Sequence, residues 1–227
     1  MNSLSIKKYL LEHDNFLTSL LSCTYNFLGH NKIRVPRGNS VCIKGNFLKH
    51  TKIIVNGTGN TIEFGKNNHL VNSVVIISGN NNTIRLGNEN STINCEFWIE
   101  DSNGSILFGN NNKILGRTHL AETEGRKIVL GNGCLFSTNV IFRTGDSHSI
   151  LDVRTGERIN HADSIIIGNR VWFGNNTTIL KGAKISDDTI VATGAIVTQN
   201  FTQKNVIIAG TPAKIVKEEV KWIAERI

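Results

Sequence analysis

Residues 165–198 read IIIGNRVWFGNNTTILKGAKISDDTIVATGAIVT and repeat every six residues. Large apolar side chains occupy one phase of this repeat, at Ile167, Phe173, Ile179, Ile185, Val191 and Val197. A second phase, two positions earlier, is occupied by Ile165, Val171, Thr177, Ala183, Thr189 and Ala195. Residues two apart on a strand point to the same side of it, so each six-residue unit sends one large and one smaller side chain inward. The pattern predicts an all-β solenoid, a left-handed parallel β-helix with three six-residue units in each coil.

The same repeat continues upstream in longer coils. Four glycines lie 22 residues apart, and each closes a short apolar segment: Gly65, Gly87, Gly109 and Gly131. Each upstream coil therefore has eighteen residues plus four, and we expect the extra residues in corner loops such as 79–82. A slip in the spacing between Ile93 and Ile99 predicts a β-bulge in one coil. The alternative fold, a β-sandwich of short strands, does not impose fixed spacing over such a length.

Length and composition predict one elongated domain with short additions at both ends. Residues 3–28 combine leucines with charged positions, and residues 1–40 are interpreted as an N-terminal helical cap. The β-helix is expected over 41–206, with a loop insertion at about 143–163. Residues 207–227 are expected to form a C-terminal tail that includes a short amphipathic helix over 215–223.

The chain has a formal net charge of +7, which favours polyanionic partners such as phosphate-bearing cofactors or acidic glycans. Nucleic acid is disfavoured as a partner because no basic run is interleaved with aromatic residues. No apolar run is long enough for a transmembrane segment, and the N-terminus does not resemble a signal peptide, so we expect a cytoplasmic location. Four cysteines without a Cys-x-x-Cys pair are interpreted as reduced core thiols: Cys23, Cys42, Cys95 and Cys134.

The repeat is interrupted once in the C-terminal half, at residues 143–163. A polar insertion has to leave the coil and run over its surface, where it can place side chains beside a groove, so function is expected there. His148 is the candidate general base, because a neutral imidazole can take a proton from an attacking alcohol. Asp146, Asp152 or a backbone carbonyl could hold its tautomer. A solvated loop histidine without a chemical role is the alternative interpretation.

Trp172 lies between two inward positions, Val171 and Phe173, so its indole is expected on the outer face of the solenoid. An indole placed there could pack across a subunit interface, or it could stack on a sugar or cofactor and donate its N–H group. His119 is next to the inward residue Leu120 and should also point outward. It is either a substrate contact or an ordinary surface histidine.

Three segments resemble the hexapeptide-repeat acyltransferases: residues 171–182, residues 191–198 and the closing run 208–216 with its Gly-Thr-Pro-Ala-Lys motif. The loop of residues 146–150, upstream of Trp172, narrows the resemblance to the bacterial capsular polysaccharide and polysialic acid O-acetyltransferases. The similarity covers roughly residues 60–216. It is highly specific for the fold and the acyl donor, and weak for the acceptor.

The resemblance implies an acetyl-CoA-dependent O-acetyltransferase that works as a homotrimer, with active sites between adjacent subunits and no metal. It makes His148 the general base and places Trp172 beside the reacting centre. Positions along the pantetheine arm and near the phosphates of coenzyme A correspond to Gly174, Asn175, Lys181, Thr193, Thr198, Lys214 and Lys217. The candidate acceptor contacts are His119, Arg143 and Asp146. The implied reaction is direct acetyl transfer to a sugar hydroxyl of a bacterial surface glycan, either capsular or lipopolysaccharide.

Other functions stay open at this point. The acceptor could be a small molecule, such as a free sugar, a nucleotide sugar or serine. A β-helical carbonic anhydrase would need zinc-binding histidines, for which His119, His148 and His161 are candidates, although they lack the close histidine pair of that family. A non-catalytic glycan-binding solenoid would have no use for coenzyme A. A covalent cysteine route is disfavoured because Cys134 is expected to face the core.

Overall fold

The computed structural model describes residues 16–225 and residue 227, and it is the predicted left-handed parallel β-helix. Among the described residues, helix α1 (Phe16–Leu28) precedes the coils. The chain then passes through three sheets in turn, so each strand pairs with the strands one coil earlier and one coil later.

Each of the three sheets forms one side of the solenoid. Sheet A consists of β1 (Lys32–Arg34), β4 (Lys52–Asn56), β7 (Val74–Ser78), β10 (Cys95–Ile99), β13 (Thr118–Glu122), β16 (Val140–Arg143), β19 (Thr178–Leu180) and β22 (Ile196–Val197). Sheet B consists of β2 (Ser40–Cys42), β5 (Thr61–Phe64), β8 (Thr83–Leu86), β11 (Ser105–Phe108), β14 (Lys127–Leu130), β17 (Ile165–Ile167) and β20 (Lys184–Ile185). Sheet C consists of β3 (Phe47–Lys49), β6 (His69–Val71), β9 (Ser91–Ile93), β12 (Lys113–Ile114), β15 (Leu135–Phe136), β18 (Trp172–Phe173), β21 (Ile190–Val191), β23 (Ile207–Gly210) and β24 (Ala213–Lys217).

The two inward phases of the six-residue repeat form the core, as predicted. Every residue of both phases between 165 and 197 is buried. Aromatic rings from successive coils stack in this core: the centroids of Phe136 and Phe173 are 4.7 Å apart. The extra residues of the longer coils lie at corners, where Gly79 has a φ of 119° and an added Cβ would lie 2.5 Å from the carbonyl oxygen of Asp101. The corner at 79–82 therefore requires the glycine.

A ladder of buried asparagines, not identified from the sequence, joins four successive coils. Its members lie 22 residues apart at the corner between sheets B and C: Asn46, Asn68, Asn90 and Asn112. The Asn90 amide nitrogen donates to the Asn68 side-chain oxygen (2.9 Å) and to the Gly109 carbonyl (3.0 Å), and the Asn90 oxygen accepts from the Asn112 backbone N–H (2.9 Å). Each side chain thereby satisfies backbone groups that a tight corner leaves without a strand partner.

Replacing Asn90 by alanine is expected to lower the free energy of unfolding by about 2–4 kcal/mol, because it leaves buried polar groups on both neighbouring coils without a partner. Urea denaturation followed by circular dichroism measures the loss. Asn200→Ala, at an exposed position, is the matched control and should change stability by no more than about 0.5 kcal/mol. Equal stability of the two variants would show that the ladder contributes nothing.

The N-terminal boundary differs from the prediction. Of the predicted cap over 1–40, helix α1 is observed, while residues 1–15 lie outside the described residues. Strand β1 already pairs with β4 in parallel register, with Lys32 opposite Lys52. The first coil therefore begins before residue 41, because backbone pairing extends beyond the region where glycine spacing makes the repeat visible.

The predicted C-terminal helix over 215–223 is wrong. Strand β24 turns back and pairs antiparallel with β23, with Ile208 opposite Ile215, and no helix follows it in the described tail. The last parallel strand of a solenoid presents unpaired backbone groups at its edge, and the returning strand satisfies them. The β-branched pair Ile215 and Val216 suits a strand better than a helix.

Two smaller expectations were also wrong. Cys95 and Cys134 are buried as predicted, but Cys23 and Cys42 are exposed. No bulge occurs between Ile93 and Ile99, since β10 pairs without a shift on both sides. The change in spacing is instead a corner at Asn94, which has a φ of 54°.

Candidate functional site

The insertion leaves the coil between β16 and β17 and folds into a small hairpin. Its base is closed by the Asp163 N–H, which donates to the Thr144 carbonyl (2.8 Å). Within it Leu151 and Arg158 form an antiparallel bridge, and the Ile159 N–H donates to the Ile150 carbonyl (2.9 Å). The interruption of the repeat is therefore a structured element that can hold side chains in fixed places.

Two ionic contacts clamp this hairpin to the solenoid. Arg158 pairs with Glu124 at the start of the corner after β13, and this hydrogen bond lowers the pKa of the Glu124 carboxyl. On the other side Lys181 Nζ donates to Asp146 Oδ2 (2.6 Å) and to the Asn160 carbonyl (3.0 Å). The Lys181 and Asn160 hydrogen bonds lower the pKa of Asp146. Lys181, predicted as a cofactor contact, thus binds the insertion.

Asn160 fixes the backbone on both sides of His148. Its amide nitrogen donates to the His148 carbonyl (2.8 Å) and to Asp146 Oδ2 (2.8 Å), and its oxygen accepts from the Ile150 N–H (2.7 Å). Sequence reasoning missed Asn160, which had no distinguishing spacing. Its bonds hold the loop segment that carries the candidate base.

The His148 side chain is exposed, and its imidazole has no hydrogen bond to any described residue. Asp146 is bound by Lys181 and Asn160, and Asp152 is bound by Arg154, whose Nη2 lies 3.1 Å from Asp152 Oδ2. Neither predicted carboxylate therefore orients the ring. The imidazole nitrogens are therefore free to form a hydrogen bond with an incoming hydroxyl group.

A cleft of about 330 Å³ lies on the outer face of sheet A and brings together two of the predicted acceptor contacts, His119 and Arg143. Glu96 Oε2 lies 2.9 Å from His119 Nδ1, and Arg117 also lines the cleft. Arg143 Nη2 donates to Ser147 Oγ (3.2 Å), so the cleft borders the loop that carries His148.

The third predicted acceptor contact, Asp146, does not line this cleft. Sequence reasoning missed Glu96 and Arg117, although one signal was present. Glu96 is directly opposite His119 in the parallel pairing of β10 with β13. Outward residues of adjacent coils, once the coils are aligned, would have indicated the pair.

Trp172 points outward from sheet C, as predicted, with 37% of its surface exposed between the buried Val171 and Phe173. Its indole contacts the ring of Trp222, with centroids 6.2 Å apart and planes at 46°. His148 follows a strand of sheet A, whereas Trp172 belongs to sheet C. The two predicted catalytic residues therefore lie on different sides of the solenoid.

The remaining predicted cofactor contacts fall into two groups. Gly174, Asn175 and Thr193 share the corner that leads from sheet C to sheet A, where an added Cβ on Gly174 would lie 2.7 Å from the Thr193 nitrogen. Asn175 Oδ1 also accepts from the Thr138 N–H (3.1 Å). Lys214 and Lys217 are exposed on β24.

Thr198 is exposed just after β22, away from that corner. The structure thus places exposed hydroxyl groups and free ammonium groups on the outer surface near the C-terminal coils. A linear ligand that lies along this surface and ends in phosphate groups could form hydrogen bonds with these hydroxyl groups and ionic contacts with these ammonium groups.

Two features of the described residues bear on other functions. They contain no group of three or more histidine, cysteine, aspartate or glutamate side chains arranged to hold a metal ion, so His119, His148 and His161 do not form a zinc site within the chain. Among the helices described, none has the length and apolar character to span a bilayer.

No family model matches the chain, but individual known proteins are similar to it in sequence and in structure. The polysialic acid O-acetyltransferase of Escherichia coli O1:K1 is 35% identical over 100 residues, and that of Neisseria meningitidis is 36% identical over 99 residues. Each match covers 44% of this chain, and the chain spans 32% and 46% of the length of these curated relatives.

The crystal structure of the polysialic acid O-acetyltransferase OatWY superposes with a TM-score of 0.75 at 31% sequence identity. The match covers 87% of this chain and 89% of that chain, and so extends over the solenoid rather than one motif. On this combination of fold, repeat and similarity, the chain belongs to the hexapeptide-repeat, left-handed β-helix acyltransferases, in the group that includes the polysialic acid O-acetyltransferases.

Proposed function

We propose that the protein is an O-acetyltransferase that moves an acetyl group from acetyl-CoA to a sugar hydroxyl of a bacterial surface glycan. One observation carries the proposal: the insertion is clamped to the solenoid and presents an unpaired imidazole, that of His148, on a loop that adjoins an outward cleft through the Arg143–Ser147 hydrogen bond. Relatives that share the sequence similarity and the fold support O-acetyl transfer as the reaction class.

In this mechanism acetyl-CoA supplies the activated acyl group, and the chain supplies the base and the binding surface. His148 takes the proton of the acceptor hydroxyl as that oxygen bonds to the thioester carbonyl carbon, and returns it to the coenzyme A sulfur as the carbon–sulfur bond breaks. A backbone N–H group beside the reacting carbonyl would stabilise the oxyanion. The ammonium groups of Lys214 and Lys217 would bind the phosphates.

We further propose that the active unit is a homotrimer. His148 and Trp172 lie on different sides of one chain, so a second copy is needed to bring a Trp172 to each His148. The insertion hairpin supports an interface, because four apolar side chains on it are exposed in the single chain: Ile150, Leu151, Val153 and Ile159. Exposed apolar clusters of this kind usually become covered in an assembly.

The acceptor is proposed to be an acidic glycan, either capsular or lipopolysaccharide. Arg117 and Arg143 line the cleft next to the His148 loop, against one carboxylate, that of Glu96. Guanidinium groups bind carboxylates in a bidentate fashion, so this surface suits a sugar acid. A cytoplasmic location stays a prediction, as does the small-molecule acceptor as an alternative.

Incubation with labelled acetyl-CoA and a panel of acceptors tests the proposal. The panel contains polysialic acid, lipopolysaccharide O-antigens, a neutral capsule, free sugars and serine, and NMR locates any ester formed. We expect transfer to an acidic polymer. Transfer to a free sugar or serine alone would replace the acceptor class, and coenzyme A binding without any transfer would contradict the enzyme assignment.

Arg117→Ala is expected to raise the KM for the acidic acceptor by about tenfold, the effect of losing one charged hydrogen-bonding group, without changing the KM for acetyl-CoA. Arg85→Ala is the matched control, since Arg85 is also an exposed arginine but lies on sheet B, away from the cleft, where it pairs with Glu63. Equal effects of both variants would argue for a general charge effect and against the cleft.

A further inference from the structure

The C-terminal tail returns to sheet C after β24 and buries one large side chain there. The Val220 N–H donates to the Asn205 carbonyl (2.9 Å), which brings the tail beside the last coils. Two residues later Trp222 is only 8% exposed, whereas its neighbour Ile223 is 45% exposed. The tail is therefore fixed mainly through one aromatic ring.

Trp222 is held by reciprocal contacts with Arg170. Its indole Nε1 donates to the Arg170 carbonyl (2.7 Å), and Arg170 Nη2 donates to the Trp222 carbonyl (3.1 Å). The guanidinium carbon lies 5.2 Å from the centroid of the Trp222 ring, within the range of a cation–π contact. Arg170 is itself held by Asp188, whose Oδ1 lies 2.7 Å from Arg170 Nε. These contacts fix the plane and position of the Trp222 indole.

The fixed ring of Trp222 contacts the indole of Trp172. The two indoles are in contact at 6.2 Å between centroids, while the backbone of Trp172 is already held by its N–H bond to the Thr189 carbonyl (3.0 Å). A backbone bond does not choose among the rotamers of an outward side chain. The Trp222 ring occupies space beside Trp172 and restricts the rotamers open to it.

We propose that Trp222 is a positioning residue: it holds the outward indole of Trp172 in the orientation that acetyl transfer uses. The inference rests on the proposed function, which places Trp172 beside the reacting centre. It adds to that function a role for the tail, because the tail residue, rather than the coil that bears Trp172, sets the direction of the indole. Displacement of a group beside the reacting atoms by about 1 Å can reduce turnover by up to about 100-fold.

The first test measures orientation without any substrate. The chain has three tryptophans, so Trp98→Phe combined with Trp222→Phe or with Trp222→Ala leaves Trp172 as the sole tryptophan, which excitation at a wavelength that tyrosine does not absorb selects. We expect lower fluorescence anisotropy and stronger acrylamide quenching of Trp172 in the alanine variant, because the phenylalanine ring still restricts the indole. Equal values in the two variants would overturn the inference.

The second test is a double-mutant cycle on kcat, with polysialic acid and acetyl-CoA as the probes. Trp222→Ala is expected to lower kcat about tenfold, Trp222→Phe to stay within about threefold, and Trp222→Ala to have no further effect once Trp172 is alanine. Ile223→Ala, in the same tail, is the control and should leave kcat unchanged. If the losses of kcat caused by Trp222→Ala and Trp172→Ala instead multiply in the double variant, the inference is overturned, since Trp222 would then act independently of Trp172.

Loss of the fold is checked by the melting temperature, and the phenylalanine variant answers the question should the alanine variant fail to fold. Normal kcat in Trp172→Ala would remove Trp172 from the proposed reaction, and the catalytic role of Trp222 with it. The anisotropy comparison would in that case still report the ring contact. The two failures are therefore distinguishable.

Discussion

Replacing His148 by alanine is expected to lower kcat for acetyl transfer by about 10²–10⁴-fold, the usual contribution of a general base. The imidazole is the only part of the clamped loop that we assign to proton transfer, and no described residue holds it in a structural hydrogen bond. Steady-state kinetics with acetyl-CoA and an accepted glycan measures the loss. His148→Asn should behave in the same way, since an amide cannot take up the proton.

The fold and the affinity for coenzyme A are expected to survive this change. The loop is held through Asn160, which binds the backbone of His148 rather than its side chain. The matched control is His161→Ala, at an exposed histidine of the same insertion, and it should retain turnover within about threefold. Near-normal turnover in His148→Ala, or an equal loss in His161→Ala, would remove His148 from the mechanism.

The repeat allowed the buried positions to be predicted because its physical basis is simple. Strand side chains alternate between the two faces, and a coil of three six-residue units keeps the same residues inward in every turn. Phe173 and Val191, predicted from spacing alone, are both fully buried. The outward direction of Trp172 follows from the same alternation.

Contacts between coils were harder to predict because they depend on alignment of residues about 22 positions apart. The Asn68 and Asn90 ladder had the required spacing, yet isolated asparagines in a corner are equally consistent with turn residues that tolerate positive φ. The contact between Glu96 and His119 could not be predicted from the sequence for the same reason. Such pairs become visible only when the register of the coils is known.

The C-terminal tail shows a different limit of sequence reasoning. Its apolar spacing fits a helix, but an unsatisfied strand edge next to it favours a hairpin, and local spacing contains no information about that edge. The tail then returns to Arg170 and Trp172 by contacts that span 50 or more residues of sequence. The site thus depends on two segments, the insertion and the tail, whose positions the repeat does not determine.

Glu122 gives rise to the other large expected effect, which concerns stability and its dependence on pH. The residue ends β13 and is fully buried. Its Oε1 accepts a hydrogen bond from the Arg126 N–H, while Oε2 has no hydrogen-bond partner among the described residues. Gly104 packs so closely that an added Cβ would lie 1.8 Å from Oε2, which leaves no room for a new partner. Burial raises the pKa of this carboxyl to about 8.

This raised pKa makes the folded protein hold a proton that the unfolded chain releases near pH 4.5. The stabilising contribution of the neutral acid is therefore fully present below about pH 4.5 and is lost as the pH rises to about 8. The loss has a limiting slope of about 1.4 kcal/mol per pH unit and sums to a few kcal/mol. Above pH 8 the carboxylate is charged in both states, and the loss no longer grows.

Glu122→Gln should remove this dependence, because the amide cannot ionise and its oxygen can still accept from the Arg126 N–H. Chemical denaturation at pH 5, 6, 7, 8 and 9, at one protein concentration, measures the difference in unfolding free energy between variant and wild type. We expect that difference to shift in favour of the variant by a few kcal/mol between pH 5 and 8 and then to level off.

Glu63→Gln, at an exposed position on sheet B, is the control and should give a curve parallel to that of the wild type. If the unfolding free energy of Glu122→Gln instead runs parallel to that of the wild type, the buried carboxyl is ionised in the folded protein across this pH range. The end of β13 would then accommodate a carboxylate rather than a neutral acid.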